Sequence, residues 1–101
     1  MRKLSFNILE WAKKYIKIPN KEESKKIIKE HSKKEVLEAY KIVHDLFKNK
    51  KSFDLQKIKK KLIIVAALFV LLGNSALAGL PSLETIENKY SEYFKSLDTK
   101  E

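Results

Sequence analysis

Residues 59–81 read KKKLIIVAALFVLLGNSALAGLP. Lysines run straight into apolar residues, Gly73-Asn74-Ser75 interrupts them, and Ala76-Leu77-Ala78-Gly79 leads to Pro81. Three readings fit the stretch: a membrane span, an internal copy of a secretion signal, or the buried core helix of a small protein. The fold of the whole chain follows from which one applies.

From Leu62 to Leu80 there are 19 residues without a charge, close to the length that crosses a hydrocarbon core. Eleven of them are Leu, Ile, Val or Phe, which at roughly −0.3 to −0.6 kcal/mol each supply about −3 to −7 kcal/mol of insertion. Gly73, Asn74, Ser75 and Gly79 oppose insertion, so the balance is favourable by a modest margin. Lys57, Lys59, Lys60 and Lys61 collar the N-terminal side, and the C-terminal side is poor in basic residues. That asymmetry places the N-terminus in the cytoplasm and residues 62–80 across a membrane. The collar lysines reach anionic headgroups, each worth about 1 kcal/mol near the surface.

The core-helix reading rests on residues 62–72, eleven in a row that are apolar on every side. A helix apolar all round is either a span or the centre of a core. In the second case Gly73-Asn74 is its C-terminal stop. The signal reading matches the lysines, the apolar run and Ala76-x-Ala78, but signals precede structured sequence and this run follows it. The span is the preferred expectation, and a cytoplasmic bundle is the alternative.

The remaining chain reads as helices. Leu4, Ile8, Trp11, Tyr15 and Ile18 make one face of a helix over residues 3–18, which Pro19 stops. Asn20 caps the next helix with Glu23 three residues on, and Ile27 and Ile28 anchor it. Ser32-Lys33-Lys34-Glu35 is a capping box. It opens a helix to about Lys48 with Val36, Tyr40, Val43 and Phe47 on its apolar face, widened by Leu37, Ala39 and Leu46. Asn49-Lys50-Lys51-Ser52 reads as a loop. Asp54 caps the lysine-collared helix, with Phe53 stapled onto Ile58. Ser82 caps a last helix whose stripe is Leu83, Ile86, Tyr90, Tyr93, Phe94 and Leu97.

These elements predict an all-α protein: a basic helical domain over 1–54, a lysine-collared apolar helix over 55–80, and a C-terminal amphipathic helix over 81–101. With two glycines and two prolines, the chain has too few turn formers for an all-β fold.

Net charge is +9 and unevenly spread. Residues 1–61 hold 19 of the 22 basic and eight of the 13 acidic residues, a net +11, and residues 62–101 carry −2. The basic surface comprises Lys13, Lys14, Lys17, Lys25, Lys26, Lys33, Lys34, Lys50 and Lys51. It suits anionic lipid, an acidic protein, a ribosome, or nucleic acid held through its backbone. Arg2 is the sole arginine. Base recognition leans on the guanidinium fork, so sequence-specific nucleic-acid binding is disfavoured.

Catalytic and metal constellations are not expected. The chain has no cysteine, which excludes disulfides, thiolate zinc sites and cysteine nucleophiles. His31 and His44 are too far apart for one helical face, and His31 with Glu35 and Glu38 is an ordinary surface row. No Gly-rich phosphate loop, HExxH, EF-hand loop or Gly-x-Ser-x-Gly elbow is present. No cofactor and no enzymatic activity are predicted. Trp11, Tyr15, Tyr40 and Phe47 fall on apolar faces and read as core rather than as a base-stacking platform. Gly73, Asn74, Ser75 and Gly79 form a small-residue face suited to helix association within a membrane, which allows a homo-oligomer.

The amphipathic EVLEAYKIVHDLFKNKKS, the basic DLQKIKKK, the apolar LIIVAALFVLL and a Gly/Asn-containing break before a proline together carry a resemblance. Residues 33–83 resemble the short bacterial and phage relatives of the leucine-zipper/EF-hand transmembrane family, the ribosome-binding-domain-like proteins. The proline that members place near the end of the apolar run is displaced here to Pro81, and the later helices have no counterpart. The resemblance implies a membrane-anchored helical protein with a role related to ribosomes or cation exchange. It carries over no functional residue.

The sequence thus predicts a non-enzymatic, membrane-anchored interaction protein. Its basic cytosolic face would meet anionic lipid, acidic protein or the ribosome, with a holin-like pore former in the same class. The alternative is an unanchored helical bundle binding an acidic protein or nucleic acid non-specifically.

Overall fold

The computed structural model describes residues 8–49, 52–72 and 82–100, with side chains to 95 in the last segment. Every regular element among them is an α-helix: α1 (Ile8–Ala12), α2 (Lys21–Lys29), α3 (Lys33–Asn49), α4 (Leu55–Leu72) and α5 (Leu83–Lys100).

The helix starts follow from their caps. At α2 the Glu23 amide donates to Asn20 Oδ1 at 2.8 Å and the Asn20 amide donates back to Glu23 Oε1 at 3.2 Å. The same reciprocal pair opens α3, with Glu35 N to Ser32 Oγ at 3.2 Å and Ser32 N to Glu35 Oε1 at 3.0 Å. Asp54 Oδ1 accepts from Gln56 N at 3.0 Å, and Ser82 Oγ accepts from Thr85 N at 3.2 Å. Each cap satisfies helix-end amides that have no partner within the helix. All four stand where the residue types placed them.

α1 is the exception. A helix over residues 3–18 is expected, yet the described part ends at Ala12. Lys14 N and Tyr15 N then donate three residues back, to Trp11 O and Ala12 O. This tightening to 3₁₀ geometry turns the chain well before Pro19. The inward residues are Ile8, Ala12 and Ile16, while Trp11 and Ile18 are half-buried and Tyr15 is 37% exposed. Of the expected face, Ile8 is buried and Trp11 and Ile18 pack against the core, while the turn carries Tyr15 outward. Leu4 lies outside the described residues.

α4 is the centre of the bundle. Ile64 to Phe69 are six consecutive buried residues, more than a full helical turn, so neighbours surround the helix on all sides. α2 and α3 pack on it most extensively, with α1 and α5 completing the shell. Tyr40 of α3 stacks on Phe69 at 5.8 Å, and both rings are fully enclosed. Each large side chain buried here contributes on the order of 1.5–3 kcal/mol. α3 turns Val36, Ala39, Tyr40 and Val43 toward this core, and α5 adds Ile86 and Tyr90.

No helix of the described residues is long and apolar enough to cross a membrane. The first two turns of α4 hold four lysines, and the apolar remainder, Leu62–Leu72, rises only about 16 Å against a hydrocarbon core of about 30 Å. Residues 73–81, with the expected pause at Gly73-Asn74-Ser75, lie outside the described residues. The all-α architecture stands, and the membrane span receives no support from it.

Candidate functional site

The lysines are the chemistry this fold puts on display. Lys57, Lys59 and Lys60 are exposed and Lys61 is half-buried. α4 has no acidic residue in its first turn, although a helix N-terminus is the positive end of the macrodipole. Lys57 therefore opposes the dipole. It also lies three and four residues from Lys60 and Lys61, the spacing at which like charges repel by a few tenths of a kcal/mol. Among the described residues none of these four forms an ion pair. The strip thus breaks local electrostatic rules with no compensation among the described residues.

The other predicted lysines are spread around the shell. Lys13, Lys14 and Lys17 are exposed in the turns after α1, Lys25 and Lys26 on α2, and Lys33 and Lys34 in the first turn of α3. Lys13 and Lys33 make ion pairs. Lys13 pairs with Glu10 at 3.0 Å, and Lys33 Nζ meets Glu87 at 3.5 Å and donates to Ser91 Oγ at 3.2 Å. The Lys33 contacts tie α3 to α5. Lys17 and Lys26 come together across an open groove of about 430 Å³, lined also by Pro19, Glu23, Ile27, Glu30 and Ile63. Its two lysines are matched by two glutamates, so it has no net preference for an anion. Lys50 and Lys51 lie outside the described residues, as do Gly73, Asn74, Ser75 and Gly79 of the predicted association face.

The histidines have structural tasks. His31 Nδ1 lies 3.3 Å from Glu35 Oε1, the oxygen that also caps α3. The Ser32 amide, and then His31, hold the Glu35 carboxyl below its ordinary range. His44 sets its ring edge against Tyr40 at 5.5 Å. Its partial burial disfavours the charged form and lowers its pKa, Lys48 adds to this, and Asp45 opposes it. Among the described residues no group of three or more His, Asp or Glu is placed to hold a metal ion. Burial pushes the Tyr40 phenol far up, so it stays neutral.

Two features escape the sequence reading. Ser24 Oγ of α2 is fully buried and has no hydrogen-bond partner among the described residues. The second is an aromatic cluster at one end of the bundle. Trp11 meets Tyr15 at 5.5 Å, Phe47 at 5.3 Å and Phe53 at 6.0 Å, and Tyr15 meets Phe53 at 5.3 Å, all edge to face. Phe53, expected to staple onto Ile58, sets its ring against Trp11 of α1 and Tyr15 of the turn after it. The four rings come from three separate chain segments, so helical periodicity has no signal for their meeting.

No protein-family model, curated protein or solved structure matches the chain.

Proposed function

We propose that the chain is a non-enzymatic helical module that attaches to an anionic membrane surface through its lysines. One observation carries the reading. The most apolar segment is consumed as the centre of the bundle, while the α4 collar stays outside, uncompensated and against its own helix dipole. Attachment is then by charge from outside the bilayer, at about 1 kcal/mol per lysine near the surface. The near absence of arginine fits lipid headgroups met as a diffuse charge better than bases read by paired hydrogen bonds.

Co-sedimentation with vesicles tests this. Phosphatidylcholine vesicles containing phosphatidylglycerol should pull the protein down at low salt, and added salt should release it within the screening range of exposed charges. Failure to sediment with these vesicles at low salt would end the proposal.

The second reading is the spanning form, with residues 62–80 across the bilayer, the N-terminus cytoplasmic, and self-association through Gly73, Asn74, Ser75 and Gly79. The 19 uncharged residues behind a lysine collar favour it. The Lys33–Glu87 contact weighs against it, because it needs the helices before and after the span on the same side. Alkaline carbonate washing separates the two forms: surface attachment is stripped, a span is retained. A ribosomal or acidic-protein partner, as the family resemblance implies, would appear as salt-sensitive binding to ribosomes with none to lipid.

A further inference from the structure

We infer that the aromatic end of the bundle, built from Trp11, Tyr15, Phe47 and Phe53, is the face that docks on an anionic lipid interface. The inference rests on the attachment proposed above and assigns it a place. Trp11, Phe47 and Phe53 are half-buried and Tyr15 is exposed, so the cluster is neither core nor free surface. Aromatic side chains with an apolar body and a wet edge occupy this depth at membrane interfaces. Their neighbours are cationic: Lys14 precedes Tyr15, Lys48 follows Phe47, and Lys57 stands one turn into α4 beyond Phe53, all three exposed.

Three carboxylates stand in the chain segments that supply the rings. Glu10 binds Lys13, Asp45 accepts from Asn49 Nδ2, and Asp54 caps the Gln56 amide. Residues 10–15 and 45–57, which supply the four rings, carry six lysines against these three carboxylates, a net +3, so the complement of this end is an anionic surface. The geometry also discriminates between anions. A base-stacking site needs an open ring face, whereas these rings close on one another edge to face, with interplanar angles of 63–70°. What they offer outward is edges and a phenol, which suits headgroups and upper acyl chains rather than a stacked nucleobase.

Trp11 is the only tryptophan in these 101 residues and sits inside the cluster, so the chain carries its own probe. Vesicles of phosphatidylcholine and phosphatidylglycerol, brominated either near the headgroup or at the chain end, are added at low salt while sedimentation is followed in parallel. Bromine near the headgroup should quench Trp11 and bromine at the chain end should not. The variant Lys14→Gln/Lys48→Gln, its helicity checked by circular dichroism, should bind about thirtyfold more weakly, from about 1 kcal/mol for each of the two lysines. Sedimentation without quenching would show that another face docks, overturning this inference while leaving surface attachment intact. Quenching by chain-end bromine would mean insertion rather than docking, and undiminished binding by the double variant would equally overturn it. Absence of sedimentation would remove the attachment itself. Quenching by single-stranded RNA but not by lipid would make the end a nucleic-acid site instead.

Discussion

The two halves of α4 belong to one unbroken helix and have opposite surroundings. Leu55–Lys61 lies at the surface, with Leu55 and Ile58 half-buried and Lys57, Lys59 and Lys60 in solvent. Leu62–Phe69 runs through the middle of the bundle, where even Ala66 and Ala67 are closed off. The backbone hydrogen bonds are alike in both halves, so the difference comes from side chains alone. In the first half the helix is amphipathic and needs a partner on one side. In the second half it is apolar on every side, and only a surrounding shell or a bilayer suffices.

The strongest challenge to this contrast is to hollow out the enclosed half. Phe69→Ala removes a ring that stacks on Tyr40 at zero exposure and should cost about 3–5 kcal/mol, read from the urea midpoint. A loss below about 1 kcal/mol would mean that the enclosed half is not the core, since surface substitutions usually fall in that range.

The converse change empties the exposed half of charge. Replacing Lys57, Lys59, Lys60 and Lys61 by Gln should leave stability unchanged or raise it by about 0.3–1 kcal/mol, because a cation at the positive end of the dipole is removed. The same variant should bind anionic vesicles at least about tenfold more weakly. Wild-type affinity in this variant would show that the collar is not the attachment site.

A smaller effect comes from the buried face of α2. Ser24→Ala deletes a buried hydroxyl that lacks a partner among the described residues, and thermal unfolding should report a gain of about 1 kcal/mol. A comparable loss would mean that the hydroxyl has a partner in solution.

The smallest effect concerns pH and reaches the core through His44, Tyr40 and Phe69. The folded pKa of His44 lies below its ordinary 6.5, mainly through burial. Between the two pKa values the unfolded chain carries the proton and the folded chain does not, so stability rises with pH there. The contribution is present above pH 6.5 and is lost as the pH falls through the lowered folded value. His44→Gln should flatten that part of the stability profile, and an unchanged profile would assign the pH dependence to another group.

Much of the fold was legible before any coordinates. Asn20, Ser32, Asp54 and Ser82 act on amides two or three residues away, so residue type and spacing suffice to locate them. The face of α3 was legible for the same reason, since helical geometry alone sets which side chains align. α1 was legible only in part. Ile8 and Trp11 pack inward as expected, but the tightened turn after Ala12 places Ile16 inward and Tyr15 outward. The aromatic end could not be foreseen, because Trp11, Phe47 and Phe53 meet only once α1, α3 and the start of α4 have docked.

By itself, then, the sequence determined the helical class, the four caps, the uneven charge and the two-part character of α4. These are short-range properties, written in neighbouring residues. Only the tertiary structure decided what surrounds Leu62–Phe69. Hydrophobic burial is non-directional, so an all-apolar helix is equally at ease in lipid or among other helices. Here α1, α2, α3 and α5 are the elements that close around it, an arrangement set by contacts between distant segments that no short stretch of sequence encodes.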